Sequence, residues 1–327
     1  MLTTDEIIFG YRFILGRSPS TAEVETKRGV KDITTLRTEM LNSQEFRMTT
    51  PSDETVPLGN HARAIVFQHI PKCAGTSIHN ALVAATGEDV MLCPERHNGL
   101  WNYPLKALRA YNLFSGHFDR ASVDCLPFEE KRLFTLLRDP TSRLISLYSY
   151  LRALKPKAAA NQLRDMQLAE LARKLSPEAF FSDEAIRANP SIDNAMVRAL
   201  AFTLPTRSWE AHTPRIVELS RKGSSAKEGL DKAIRHLEDM DAFGLVEEMD
   251  ACLPYIFSRI GLPQPENFAS VNVTKTLHET SKGFEAVQSV RKTKVLKAVL
   301  AELICEDQKL YDQARRILVE RGIVAQA

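Results

Sequence analysis

The sequence predicts an α/β fold, a mostly parallel sheet flanked by helices, with a small helical unit at the N-terminus. Short apolar runs supply the strands: Ala64-Ile65-Val66-Phe67, Leu113-Phe114-Ser115, Leu133-Phe134-Thr135-Leu136-Leu137 and Phe243-Gly244-Leu245-Val246. Their length and uninterrupted apolar character suit strands buried on both faces. Helical patterns intervene over 76–85, 141–154, 164–174, 191–202, 226–238, 248–260 and 289–320. Strands alternating with helices make parallel βαβ units.

The N-terminal unit, residues 1–50, has its own helical grammar. Ile7, Ile8, Tyr11, Ile14 and Leu15 recur at helical spacing, and Gly16 stands where a C-terminal cap belongs. Asp32 is placed to cap a further helix carrying Leu36, Met40 and Leu41. The fragments Tyr11-Arg12-Phe13-Ile14-Leu15-Gly16-Arg17 and Ser43-Gln44-Glu45-Phe46 resemble a small helical domain of unknown function from bacterial proteins that handle glycans. A helical hairpin packed on the main domain for stability is the other reading. Residues 51–61 have the Pro, Gly and Ser content of a linker, and 62–327 form the main domain.

Charge is balanced, with 43 basic and 41 acidic residues and a net charge of +2, which argues against a nucleic-acid-coating protein. No apolar run approaches the roughly 20 residues of a membrane span. The acidic N-terminus does not read as a cleavable signal. Five widely spaced cysteines without a CxxC pair point to neither a disulfide framework nor a zinc site. A cytoplasmic location is expected.

Two turns carry the chemistry. The first, His69-Ile70-Pro71-Lys72-Cys73-Ala74-Gly75-Thr76-Ser77, follows a strand and opens a helix. Gly75 permits close approach of an anion, the helix N-terminus favours negative charge, and Thr76 and Ser77 add hydroxyl donors. Lys72 supplies a mobile positive charge. The pattern is not a Walker A loop, because the Lys precedes the Gly by three residues. Alone, it is equally compatible with a plain strand-to-helix turn. The second turn, Arg138-Asp139-Pro140-Thr141-Ser142-Arg143-Leu144-Ile145-Ser146-Leu147-Tyr148, also follows a strand. Asp139 is suited to cap the next helix and Pro140 to its first position. Arg143 and Ser146 are spaced to share a helical face, and Arg138 with Ser146 forms a candidate phosphate clamp. Two such turns in succession suit a ligand with phosphate at both ends.

These residues resemble sulfotransferases that use 3′-phosphoadenosine 5′-phosphosulfate (PAPS), in the group of heparan sulfate 2-O-sulfotransferase and related bacterial carbohydrate sulfotransferases. The similarity extends more weakly through Asn194-Ala195-Met196-Val197-Arg198 and Gly244-Leu245-Val246-Glu247-Glu248. It implies a P-loop-like fold, PAPS as donor and no metal. It also implies that Lys72, Cys73, Ala74, Gly75, Thr76 and Ser77 hold the 5′-phosphosulfate, and Arg138 and Ser146 the 3′-phosphate. Cys73 departs from the Thr or other small residue common there. Inert packing and an oxidisable thiolate are its two readings.

Sulfuryl transfer also needs a base for the acceptor hydroxyl and positive charge on the leaving oxygen. Lys72 suits the second role. His117, in Phe114-Ser115-Gly116-His117-Phe118, follows a strand and matches the catalytic His of the resembled group, so it is the expected base. His97 and Glu95 are held in reserve, and His69 is read as orienting its loop. Weaker candidates are Asn272-Val273-Thr274-Lys275 as a late phosphate loop, Trp101, Tyr103 and Trp209 for sugar stacking, and Arg152, Lys155 and Lys157 for an anionic acceptor. The acceptor expected from the resemblance is a carbohydrate hydroxyl; oligomeric state has no signature here. Two rivals stand beside this reading. A P-loop-type phosphotransferase would prefer ATP with Mg²⁺, and a non-catalytic nucleotide- or glycan-binding module would not depend on His117.

Overall fold

The computed structural model describes residues 1–49, 63–87, 89–97, 99–100, 103, 105–156, 163–201, 226–265 and 282–326. The 51–61 linker lies outside them. Four strands, β1 (Arg63–Gln68), β2 (Leu113–Gly116), β3 (Glu130–Leu137) and β4 (Ala242–Leu245), form an all-parallel sheet in the order β2-β1-β3-β4. Each matches an apolar run of the sequence. In the two central strands Val66, Phe67, Phe134, Leu136 and Leu137 are sealed from solvent, and Phe67 stacks on Phe134 at 4.8 Å. Each such aromatic contributes about 2–3 kcal/mol by burial.

The strand order sets the position of any site. After β1 the chain crosses to β2 on one side; after β3 it crosses to β4 on the other. Neighbouring strands whose connections leave in opposite directions open a crevice at their carboxyl ends. Here those strands are β1 and β3, paired from Arg63 opposite Glu130 to Phe67 opposite Phe134.

Helices cover the sheet largely where the periodicity places them, among them Gly75–Ala85, Pro140–Ala153, Leu163–Lys174, Ala226–Glu238 and Met249–Ile260. Two expectations need correction. The helix expected over 191–202 begins only at Ala195, because Asn194 takes a left-handed φ of 45°. The single helix expected over 289–320 is two, Lys294–Leu303 and Cys305–Glu320, broken at Ile304. Both departures have one cause. The Asn194 side chain accepts from the backbone N–H groups of Glu306 and Asp307 (2.8 and 3.0 Å). The buried Asp307 carboxylate accepts in return from Met196 and Val197 (3.2 and 2.8 Å). Each helix therefore receives its N-terminal cap from the other.

In the N-terminal unit, Thr3 and Ser20 form capping boxes with Glu6 and Glu23, Asp32 caps Ile33–Leu41, and Gly16 ends Thr4–Leu15 at φ 71°. Arg17 joins the two fragments singled out in the sequence, pairing with Glu23 at 2.7 Å and with Glu45. The unit shares a continuous apolar core with the sheet, through Ile7, Phe9, Phe13 and Leu36 among others. Lys232 pairs with Glu6 across the junction.

The reciprocal cap makes a direct prediction. Asn194→Ala removes two hydrogen bonds and leaves a left-handed backbone on a residue that disfavours it, so urea unfolding should show a loss of about 2–3 kcal/mol.

Candidate functional site

Both turns lie at the carboxyl ends of β1 and β3, and they touch: an Arg138 Nη donates to the Lys72 carbonyl at 3.1 Å. The first turn bends through left-handed backbone at Lys72 (φ 72°) and Ala74 (φ 55°), not at its glycine. Gly75 serves another purpose. A Cβ there would lie 1.8 Å from the His69 ring, so the imidazole packs where any side chain would sit. Ala74 heads the Gly75–Ala85 helix without a side-chain cap, which leaves that N-terminus without a built-in counter-charge. Thr76 is exposed on its first turn and Ser77 is buried beneath.

The second turn has the opposite design. The Asp139 carboxylate accepts from Ser142 N–H at 2.8 Å and so occupies its own helix N-terminus. Only side chains are left there to offer donors to a ligand. Arg138 and Ser146 line a cleft of about 300 Å³ together with Ser142, Ser149 and Lys292. Lys292 reaches Ser142 Oγ at 3.1 Å. Sequence reasoning missed it, because a single Lys ahead of a helix carries no motif. Arg143 does not share this face as expected; it is fully buried and donates to the carbonyls of Ser191 and Ile192. Tyr148 is buried too, with its hydroxyl on the Leu175 carbonyl at 2.7 Å. These two residues of the second turn hold the helix in place.

At the end of β2, His117 joins the first turn. Its Nδ1 lies 3.0 Å from the His69 carbonyl, an atom that only accepts, so Nδ1 carries the proton and Nε2 a lone pair. Its ring stacks on His69 at 4.2 Å, and His97 tilts over it at 5.8 Å. Gly116 lets the Arg96 backbone pass within 2.9 Å of where a Cβ would stand, which brings residues 95–97 over the site. Glu95 accepts from His97 N–H at 2.6 Å. His79, which had no context in the sequence, links Arg96 to Ser115 through its two ring nitrogens at 2.8 and 2.9 Å.

Electrostatics differ from residue to residue. Burial, more than the His69 carbonyl can offset, pushes His117 down to about 4, and burial holds His69 well below its ordinary value. Both are neutral at pH 7. Burial and then Arg138 push the Lys72 ammonium down to about 8. The Cys73 thiol is buried and pushed up to about 12, which favours inert packing over a reactive thiolate. Trp101, Trp209, Lys157 and residues 272–275 lie outside the described residues, as do His61, His212 and His278. Among the described residues no helix is long and apolar enough to cross a membrane.

Gly75→Ala should force the His69 ring off its seat and destabilise the protein by about 1–3 kcal/mol in urea unfolding. His69→Ala in the same chain should restore most of that loss, a coupling that a double-mutant cycle reads directly.

Compared with known families, residues 59–313 match the model described as the sulfotransferase family. No curated protein matches the chain.

Proposed function

Because the chain belongs to the sulfotransferase family, and is on that account a transferase, we propose that it moves a sulfuryl group from PAPS to a hydroxyl of a carbohydrate acceptor. One observation carries the donor assignment: two anion turns of complementary design meet at the crevice between β1 and β3. The open helix N-terminus at Gly75, Thr76 and Ser77 suits the 5′-phosphosulfate, whose oxygens accept backbone N–H groups. Arg138, Ser146 and Lys292 suit the 3′-phosphate, which needs donors from side chains where Asp139 has closed the helix end.

In the transfer, the acceptor oxygen bonds to sulfur as the bond from sulfur to the bridging oxygen breaks. His117 Nε2 takes the acceptor proton and later releases it to water. The bridging oxygen departs as part of adenosine 3′,5′-bisphosphate, its growing negative charge met by the Lys72 ammonium. The hydrogen bond from His117 to the His69 carbonyl supports this assignment, since it leaves the lone pair on the ring nitrogen not held by the protein backbone. His97 and Glu95 stand close by on the 95–97 segment, with Glu95 engaged in capping His97. A carbohydrate as acceptor rests on the resemblance of the two turns to carbohydrate sulfotransferases.

Calorimetric titration tests the donor site. Adenosine 3′,5′-bisphosphate should bind far more tightly than AMP or ATP with Mg²⁺. Arg138→Ala should weaken it by roughly 30–100-fold and Lys292→Ala by roughly 3–10-fold, as expected for charge-assisted hydrogen bonds. Equal binding of AMP, or preference for ATP with Mg²⁺, would transfer the second turn to another role.

The pH profile tests the catalytic pair. A base must be neutral and a cation charged, so kcat/KM, which reports the free enzyme, should rise through about pH 4 and fall above about pH 8. An acid limb unchanged in His117→Ala would remove His117 from the base role.

A further inference from the structure

Lys72 stands in surroundings that favour loss of its proton. Burial and Arg138 at the end of β3 both act against the ammonium. The other groups facing it bring no negative charge: His69 in its own turn and His117 at the end of β2 are neutral, and Cys73 beside it is a thiol. Its backbone is left-handed, and its carbonyl accepts from Arg138 at 3.1 Å. The feature that favours the cation is aromatic. Lys72 Nζ lies 4.2 Å from the centroid of the Tyr150 ring, within the range where the negative face of a ring attracts an ammonium. Tyr150 sits on the Pro140–Ala153 helix, one turn beyond Ser146, and its own ring packs against Phe284 at 5.4 Å.

We propose that Tyr150 is a positioning residue for Lys72, its ring face seating the ammonium on the helix that carries the second anion turn and keeping it charged there. The catalytic meaning of that seat rests on the donor reading above; the seat itself does not. The arrangement has a physical rationale. A carboxylate in the same place would hold Lys72 more strongly and would repel an incoming phosphosulfate. A ring face stabilises the cation without a formal negative charge, so an anionic donor can displace it as partner.

The experiment reads Lys72 directly. The rate of its acetylation by acetic anhydride, followed by peptide mass spectrometry as a function of pH, gives the titration midpoint without any turnover. Tyr150→Phe keeps the ring and should leave the midpoint within about 0.2 units, whereas Tyr150→Leu should lower it by about half a unit to one unit. Tyr150→Met serves the same purpose if the Leu variant fails to fold, with thermal melting as the check on each. A midpoint unmoved in a folded Leu or Met variant, or moved as far in Phe as in Leu, would overturn the proposal. Protection of Lys72 by adenosine 3′,5′-bisphosphate, measured in the same samples, reports separately on the donor site.

Discussion

Parallel pairing of β1 with β3 is the constraint from which the site follows. A parallel neighbour forces both chains to leave the sheet at the same edge, and the order β2-β1-β3-β4 sends them away in opposite directions. Two turns separated by more than sixty residues in sequence thereby come close enough for Arg138 to donate to the Lys72 carbonyl. The stacked pair Phe67 and Phe134, directly behind the turns, fixes their spacing from within the core.

The same sheet edge carries two turns of different design. One helix keeps its N-terminus open and lets a tight turn, left-handed at Lys72 and Ala74, shape the approach. The other closes its N-terminus with Asp139 and presents Arg138, Ser146 and Lys292 along one cleft. Positive charge crowds the space between, and the local chemistry is adjusted to it: two neutral histidines stacked on each other, a lysine of lowered pKa, and an aromatic ring beneath that lysine. Neutral imidazoles add no charge to a partly buried site that already holds Lys72 and Arg138, where a further cation would add repulsion.

Support for this edge comes from far along the chain. Asn194 and Asp307 cap each other's helices, and the buried Arg143 ties the second turn's helix to Ser191 and Ile192 just before Asn194. Burial pushes the Asp307 carboxyl up to about 6 even with two backbone donors on it. The N-terminal unit is braced by Arg17 between Glu23 and Glu45 and continues the core of the sheet domain.

Several parts of this were legible in the residues alone. Four apolar runs became four strands, since an uninterrupted apolar stretch of strand length has few other places to go. Asp139 and Asp32 capped the helices that their positions predicted, because a cap is a contact within three residues. Lys72, Arg138 and Ser146 stood out by local pattern. What tertiary structure decided was every relation between distant residues. Spacing put Arg143 beside Ser146, but packing turned Arg143 and Tyr148 inward and left Ser146 on the cleft. Gly75 looked like room for a ligand and proved to be room for His69. Lys292, the seat of Lys72 on Tyr150 and the break at Ile304 had no local signal, because each depends on a partner more than seventy residues away. Local hydrogen bonds and periodicity are written within a turn or two of chain; which charges meet is settled only when the sheet has closed.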